Sequence, residues 1–339
     1  MERILLEKSG DISVVAEPKA GYGIRVEVLA SGGFINFWES SPTSVEWLQA
    51  NGDENATFTP GCAILGRVEP NTLVFALPGF AECTHRVVGG GLAEAISLPA
   101  TQLFPCIYSD ERTQNNIVAG LTHSMLYFKA LRQCSTERKH RVLFLSPTQC
   151  AGYLGMQLTQ KAFGASPFAV LPDGPERQSM ISNHNFSKES FLTTSEAGSQ
   201  LWDIVVISSE KASALPSLVI QALAMTRLGG SVCVVGAEFP TSLSVSGSSP
   251  AVMLATASQR NISLVFTTPQ LLSPDFDRLG EYHHCLGACI ALLASREVVC
   301  PTCFTGTCSG DSALMSVAKE ALGLPAQILA QGLPVVRLK

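Results

Sequence analysis

One segment combines residues that could hold a nucleotide. Residues 141–165, RVLFLSPTQCAGYLGMQLTQKAFGA, form an apolar run, a short turn of small residues and an amphipathic segment that ends in Gly-Ala. A strand, a tight turn and a helix in this order usually hold a dinucleotide, because backbone N–H groups and the helix N-terminus meet the pyrophosphate. Here the turn has few glycines. The pattern therefore predicts the frame of a cofactor site and leaves open whether a cofactor still fits.

A second cofactor determinant is expected about 20 residues further on. Asp173, at the end of the next predicted strand, could accept hydrogen bonds from a ribose and would favour NAD. Arg177 could instead pair with the 2′-phosphate of NADP. The alternative, which we favour slightly, is that the stretch PDGPER is only a solvated turn followed by a capped helix start.

Cysteines and histidines near the C-terminus could suggest a zinc site. Residues 300–308, CPTCFTGTC, contain Cys300, Cys303 and Cys308, and the triplet HHC places His283, His284 and Cys285 upstream. Thiolate and imidazole are ligands that zinc prefers. The alternation of Cys300 with apolar neighbours fits a buried strand edge better, so we expect no metal. A Ser-His-Asp hydrolase has no support, since the G-x-S-x-G elbow is absent.

The elements that must position these residues begin with short strands. Up to about residue 110 the chain consists of apolar stretches separated by turns, and Ile24, Val26 and Val28 alternate with polar residues as in a half-buried strand. From Ser109, cap-type and acidic residues introduce apolar positions at helical spacing, which predicts a long helix.

Beyond that helix, continuous apolar strands such as WDIVVIS and SVCVVG alternate with the predicted helices AGYLGMQLTQKAFG and LPSLVIQALAMTRLGG. This alternation indicates a parallel sheet covered on both faces. We therefore predict an α/β fold with a β-rich domain, residues 1–112 with 300–339, and a Rossmann-type doubly wound domain, residues 113–299.

Composition limits the function classes. The 339 residues are 46% hydrophobic and 15% charged, with a net charge of −5, so a large core is expected and no basic stripe for nucleic acid is present. The charged N-terminus is not a secretory signal, and no uncharged apolar run reaches the roughly 20 residues that span a bilayer. The odd number of cysteines, 11, is typical of buried thiols in a reducing compartment. We expect a cytoplasmic protein.

Several stretches together resemble the zinc-free quinone- and enoyl-reductase branch of the medium-chain dehydrogenase/reductase superfamily, and most of all the enoyl reductase domains of fungal highly reducing polyketide synthases. These stretches are VEVLASGGFINFWES, TPGCAILGRV, LPGFAECTHRVV, HNFSKESF and DIVVISSEKASALPSLVIQALAMTRLGGSVCVVG. The resemblance covers nearly the whole chain. It implies that the β-rich domain is GroES-like, that NADPH is the cofactor, and that the substrate is a small or acyl-carrier-bound polyketide.

The resemblance also implies where a cofactor would bind. It places Gln149 and Cys150 at the two adjacent glycines of the turn and Gly152 at the last, and it puts Lys188 where the reductases have an arginine. The full set of cofactor candidates is Thr148, Gln149, Cys150, Gly152, Asp173, Arg177, Lys188 and Gly236. A side chain where the backbone must touch phosphate takes up room, so weakened or lost NADPH binding is expected.

Catalytic candidates are few. The reductases take the substrate proton from a tyrosine or a lysine, whereas the segment after Asn36 has no tyrosine and Ala237 stands at the lysine position. His123 and Ser124 match the helix segment that lines the nicotinamide pocket in the family, and Asn36 matches a substrate-pocket residue. His123 and Lys188 are therefore the remaining catalytic candidates, and packing or surface roles are their simpler explanations.

Three hypotheses follow. The first is a non-catalytic, enoyl-reductase-like domain, kept for architecture or for docking other synthase domains or a separate trans-acting reductase. The second is an active NAD(P)H-dependent reductase of an α,β-unsaturated thioester. The third is the same fold reused for small-molecule binding or a non-redox reaction. A homodimer through the edge strand NISLVFTT is an expectation by analogy only.

Overall fold

The computed structural model describes most of the chain. The described residues are 2–6, 12–16, 23–32, 57–58, 62–69, 72–78, 87–88, 93–145, 149–171, 186–207, 215–235, 250–267, 279–300, 302–308, 316–317, 320 and 332–338. The chain divides into two compact units, Met1–Met125 with Pro269–Lys339, and Leu126–Thr268. The domain boundaries that the sequence predicts, at residues 112 and 300, stay predictions.

The first unit contains two sheets. Its strands are β1 (Glu2–Leu6), β2 (Ile12–Ala16), β3 (Ile24–Gly32), β4 (Thr57–Phe58), β5 (Ala63–Val68), β6 (Thr72–Ala76), β7 (Val87–Val88), β8 (Ala95–Leu98), β9 (Leu103–Pro105), β16 (Thr302–Cys308) and β17 (Leu333–Leu338). One sheet has the order β2-β1-β4-β7, and the other has the order β16-β17-β3-β5-β6-β9 with β8 beside β3. The predicted alternation in β3 is confirmed at Val26 and Val28, which are buried on either side of the exposed Glu27. It is wrong at Ile24, the first residue of the strand, which is 37% exposed.

The second unit contains one sheet, formed by β10 (Arg141–Leu145), β11 (Ser166–Val170), β12 (Phe191–Leu192), β13 (Trp202–Ile207), β14 (Thr226–Val235) and β15 (Ser263–Thr267). Every neighbouring pair is parallel, and the order is β12-β11-β10-β13-β14-β15. This is the strand order 3-2-1-4-5-6 of Rossmann-type domains. The predicted fold class, a β-rich part and a doubly wound parallel sheet, is confirmed.

The helices are α1 (Glu111–Gln133), α2 (Gln149–Lys161), α3 (Thr194–Gly198), α4 (Leu215–Met225), α5 (Pro250–Gln259) and α6 (Leu279–Ala294), with short 3-10 helices at Ala100–Gln102 and Lys188–Ser190. At the start of α1 the Asp110 carboxylate accepts a hydrogen bond from the Thr113 amide at 2.8 Å, which satisfies one of the unpaired N–H groups there. The helix predicted to follow Ser109 is therefore confirmed.

One predicted helix end is wrong. The sequence pattern predicts that the segment after Met225, TRLGG, continues α4, but Thr226 begins β14 and pairs with Trp202 of β13. Gly230 explains the difference, because a Cβ there would lie 2.6 Å from the Asp203 carbonyl oxygen, and Gly229 has a φ of +73°. Two glycines let this backbone run close beside β13. The hydrogen bonds of the β13–β14 ladder therefore stabilise the segment more than a continued helix would.

Helix α2 packs very closely on its own unit. It begins at Gln149, two residues before the predicted start, and ends at Lys161, three residues before the predicted end. A Cβ on Gly155 would lie 2.6 Å from the Tyr127 ring and 2.9 Å from the Phe144 ring. Tyr127 and Phe144 are fully buried, so neither ring can move aside without disturbing the core. Only a glycine at 155 allows α2 to lie at this distance from β10.

We predict that Gly155→Ala lowers the free energy of unfolding by about 1–3 kcal/mol, because the new methyl group overpacks a filled core. Urea denaturation of the two proteins measures the difference. The matched control is Gly280→Ala in α6, where a Cβ would meet nothing within 4 Å. That change should be neutral or stabilising by up to about 1 kcal/mol. Equal effects of the two substitutions would contradict the packing argument.

Candidate functional site

The first candidate site is the carboxyl edge of the parallel sheet. Strands β11 and β12 lie on one side of β10, whereas β13, β14 and β15 lie on its other side. The direction in which successive strands are added therefore reverses between β10 and β13. Nucleotides bind outside the carboxyl ends of strands at such a point. Strand β10 ends at Leu145 and α2 begins at Gln149, so only residues 146–148 connect them.

Three of the predicted cofactor residues lie in the helix that begins at this edge. Gln149 and Cys150 form the first turn of α2, and Gly152 is buried in the same helix. The remaining predicted residues of the site, Asn36, Thr148, Asp173, Arg177 and Gly236, lie outside the described residues. The structure therefore brings together the backbone of Gln149, Cys150 and Gly152 at one helix start, and it leaves the determinant for the ribose untested.

Sequence reasoning missed Gly155, the position in α2 where the packing leaves no room for a Cβ atom. The signal for it was the spacing Gly152-x-x-Gly155, since residues three apart lie on one face of a helix. In Rossmann-type motifs one glycine serves close helix–strand packing and others serve phosphate contact. Here the packing glycine is present at the site, whereas Gln149 and Cys150 occupy the helix start.

Lys188, a candidate for cofactor contact and catalysis, lies in the short 3-10 helix Lys188–Ser190 just before β12. Its side chain is exposed. The neighbouring Glu189 carboxyl has a lowered pKa because its own backbone N–H and the Ser187 side chain stabilise the carboxylate, with a smaller contribution from the Lys188 charge. Lys188 is thus a solvated cation at the far strand of the sheet, and its two predicted roles stay predictions.

The second candidate site is a polar segment of α1 in the first unit. Thr122, His123 and Ser124 follow one another in the helix, and all three are buried. The hydroxyl oxygens of Thr122 and Ser124 have no hydrogen-bond partner among the described residues. Burial of a polar group without a partner is costly, so two such groups in one turn distinguish this segment from an ordinary packed helix.

Burial decides the charge of the His123 imidazole. Burial lowers its pKa from 6.5 to about 4, because the charged ring would lose its hydration. The ring is therefore neutral at pH 7. A general acid needs a pKa close to the working pH to hold a proton and release it, so the geometry supports the packing role for His123.

The zinc alternative finds no geometric support in what is described. Within the described ranges no group of three or more His, Cys, Asp or Glu side chains lies close enough to share a metal. Cys134, Cys233, Cys285, Cys289 and Cys300 are buried. A hydrogen bond with the Cys134 thiol, together with burial, holds the pKa of Cys233 well above its ordinary value, so it stays a protonated thiol and a poor ligand. The absence of zinc stays a prediction.

The helices differ in length and hydropathy, and among the described residues none of them is both long enough and apolar enough to cross a bilayer.

We predict that His123→Leu flattens the pH dependence of stability between pH 6.5 and pH 4. In the wild type the unfolded chain binds a proton at His123 near pH 6.5 but the folded chain only near pH 4, so stability is lost as the pH falls through this window, by about 3 kcal/mol in total. Chemical denaturation at several pH values measures it. His284→Leu, at an exposed position in α6, is the matched control substitution. An equal change in slope in both variants would contradict the argument.

Comparison with known proteins adds the fold. No protein-family model matches the sequence, and no curated protein matches it. Among solved structures, an alcohol dehydrogenase superfamily protein from Novosphingobium aromaticivorans is 14% identical with a TM-score of 0.71, each chain being covered over 100% of its length. The quinone oxidoreductase from Thermus thermophilus, solved also with NADPH, is 20% identical with a TM-score of 0.63 and the same coverage.

A third similar structure is the crotonyl-CoA carboxylase/reductase AntE in complex with NADP. It is 14% identical with a TM-score of 0.67, and the match covers 99% of this chain and 94% of that one. At these identities the comparisons establish architecture and not activity. What this chain shares with these structures is therefore the architecture, a β-rich unit together with a unit built on a parallel sheet of order 3-2-1-4-5-6.

Proposed function

We propose that this chain is an enoyl-reductase-like domain of polyketide biosynthesis that no longer reduces its substrate and instead has a structural or docking role. The polyketide assignment is supported by the stretches HNFSKESF and DIVVISSEKASALPSLVIQALAMTRLGGSVCVVG, which resemble the reductase domains of polyketide synthases. The shared fold supports the reductase-like part of the proposal.

The observation that carries the proposal is the start of α2. The helix begins at Gln149, so Gln149 and Cys150 supply its first backbone N–H groups, which are the groups that would meet a pyrophosphate. A glycine leaves room for phosphate against such groups, whereas any side chain narrows the approach. The frame of the site is thus kept by β10, α2 and Gly155, while the point of closest approach carries two side chains.

The proton supply points the same way. Hydride transfer to an α,β-unsaturated thioester requires a second group that delivers a proton to the α-carbon. Burial keeps the His123 imidazole neutral at pH 7, which argues against this residue as the donor. The segment after Asn36 has no tyrosine, and Ala237 stands where the reductases have a lysine. Loss of both the cofactor approach and the proton donor is consistent with one change of role.

The chain's own residues define what NADPH would meet if it bound. The backbone of Gln149 and Cys150 would face the pyrophosphate, and the cofactor would supply a hydride. Partners consistent with the docking role are other synthase domains, a separate trans-acting reductase, or an acyl-carrier-bound polyketide. The proposal requires neither zinc nor nucleic acid.

A second candidate, an active NADPH-dependent enoyl or quinone reductase, is favoured by one observation. The parallel register of β10 with β11 and β13 is unbroken from Val142 to Leu145, so the sheet edge that carries the site is undistorted. Two structures of similar fold were solved with NADPH or NADP, which makes NADPH the nucleotide to test.

An NADPH oxidation assay with crotonyl-pantetheine separates the two candidates. The proposed role predicts no oxidation of NADPH above the rate without protein and no thermal shift at millimolar NADPH. Turnover that depends on both NADPH and the thioester would establish the second candidate and contradict the first. If turnover occurs, the variant Lys188→Ala tests whether this exposed lysine contacts the cofactor. Reduced turnover would support the contact, and unchanged turnover would contradict it.

We predict that the double variant Gln149→Gly, Cys150→Gly binds NADPH at least about tenfold more tightly than the wild type, because it removes both side chains from the helix start. Isothermal titration calorimetry measures the affinity. The matched control is Gln149→Ala, Cys150→Ala, which removes the larger side chains but keeps both Cβ atoms. We expect the alanine variant to recover less affinity than the glycine variant. Tight binding by the wild type would contradict the argument.

A further inference from the structure

A cleft lies beside the start of α1, within the first unit. Its volume is about 620 Å³. One wall is the first two turns of α1, which contribute Glu111, Arg112 and Asn115, and the other wall follows α6 and contributes Arg296 and Val299. None of these residues has a part in the proposed function, so an inference about the cleft does not rest on it.

The two walls are joined by a buried side chain. Asn116, 8% exposed, donates from Nδ2 to the Leu293 carbonyl oxygen at 2.6 Å and accepts at Oδ1 from the Cys300 amide at 2.8 Å. A buried amide with both ends satisfied fixes the spacing of the segments that it bridges. The cleft is therefore a preformed feature and needs no rearrangement to admit a ligand.

The charges around the cleft leave cationic groups available. Arg112 is exposed and forms no ion pair or hydrogen bond within the part of the chain that the structure describes. Arg296 lies 3.9 Å from Asp110, and that carboxylate already accepts the Thr113 amide. The acidic side chain in the lining, Glu111, is paired with Arg337 at 3.0 Å. A loose contact in exposed positions is weak, so both guanidiniums can take a further anionic partner.

The backbone at Arg296 is unusual. It has a φ of +60°, in the left-handed region that glycine adopts at least cost, and it is the second residue after the end of α6. An arginine in this conformation carries a backbone strain that a glycine would avoid. The position thus carries a strained backbone together with a guanidinium at the rim of the cleft.

We propose that this cleft binds a small molecule through an oxyanion, either a phosphate or a carboxylate. The guanidiniums of Arg112 and Arg296 supply the positive charge, since their planar forks match both anions. Asn115 accepts from Arg337 at Oδ1, at 3.0 and 2.8 Å, and has its amide N–H groups left to donate. Val299, 39% exposed, and the buried Cys300 offer an apolar surface for the rest of the ligand.

Inorganic phosphate is the probe for this site, with the full chain as the protein. We expect the ³¹P line of phosphate to broaden with wild-type protein at constant ionic strength, and the variant R112Q/R296Q to bind phosphate about tenfold more weakly. Malonate, added as a competitor, should narrow the line again if carboxylates share the site. Arg138→Gln, at an exposed position in the other unit, is the control and should leave the broadening unchanged.

A second pair of variants keeps the proposal testable if the arginine changes disturb folding. Val299→Asp places a carboxylate in the lining and should abolish the broadening, whereas Val299→Lys should increase it. Equal broadening by wild type, R112Q/R296Q and Val299→Asp would mean that phosphate binds elsewhere or only as an adventitious ion, and would overturn the proposal. Because neither NADPH nor a thioester is used, this outcome is independent of the reductase assays.

Discussion

The contact between α2 and the rings of Tyr127 and Phe144 is the constraint on which the carboxyl edge of the parallel sheet depends. At Gly155 no side chain fits, so the helix lies against the sheet at the shortest distance that the backbone allows. The consequence is that packing within the unit holds α2 against β10, and this packing does not require a bound nucleotide.

The strands and the fold class could be predicted because burial leaves a direct imprint on sequence. Strands buried on both faces, such as β13, are continuous apolar runs, and β3, which is half-buried, alternates. The wrong assignment of TRLGG shows the limit of this reasoning. A run of Thr, Arg and Leu after a helix has no periodicity of its own, and its state is decided by Gly230 lying against Asp203 of a strand more than twenty residues earlier.

Site residues were harder to predict, since a role depends on surroundings that the sequence does not contain. His123 was a reasonable proton donor on paper, and only its burial shows that the ring is neutral at pH 7. The importance of Gly155 rests on the position of Tyr127, which is distant from it in sequence. The cleft beside α1 is lined by residues that are some 180 positions apart in the sequence, so no local sequence pattern predicts it.

The central claim is that the helix start at Gln149 keeps the backbone geometry of a dinucleotide site but no longer binds a dinucleotide. A crystal structure of the protein soaked in millimolar NADPH tests it most directly. We predict no ordered pyrophosphate against the backbone N–H groups of Gln149 and Cys150. An ordered NADPH with its pyrophosphate on those groups would contradict the account and favour an active reductase.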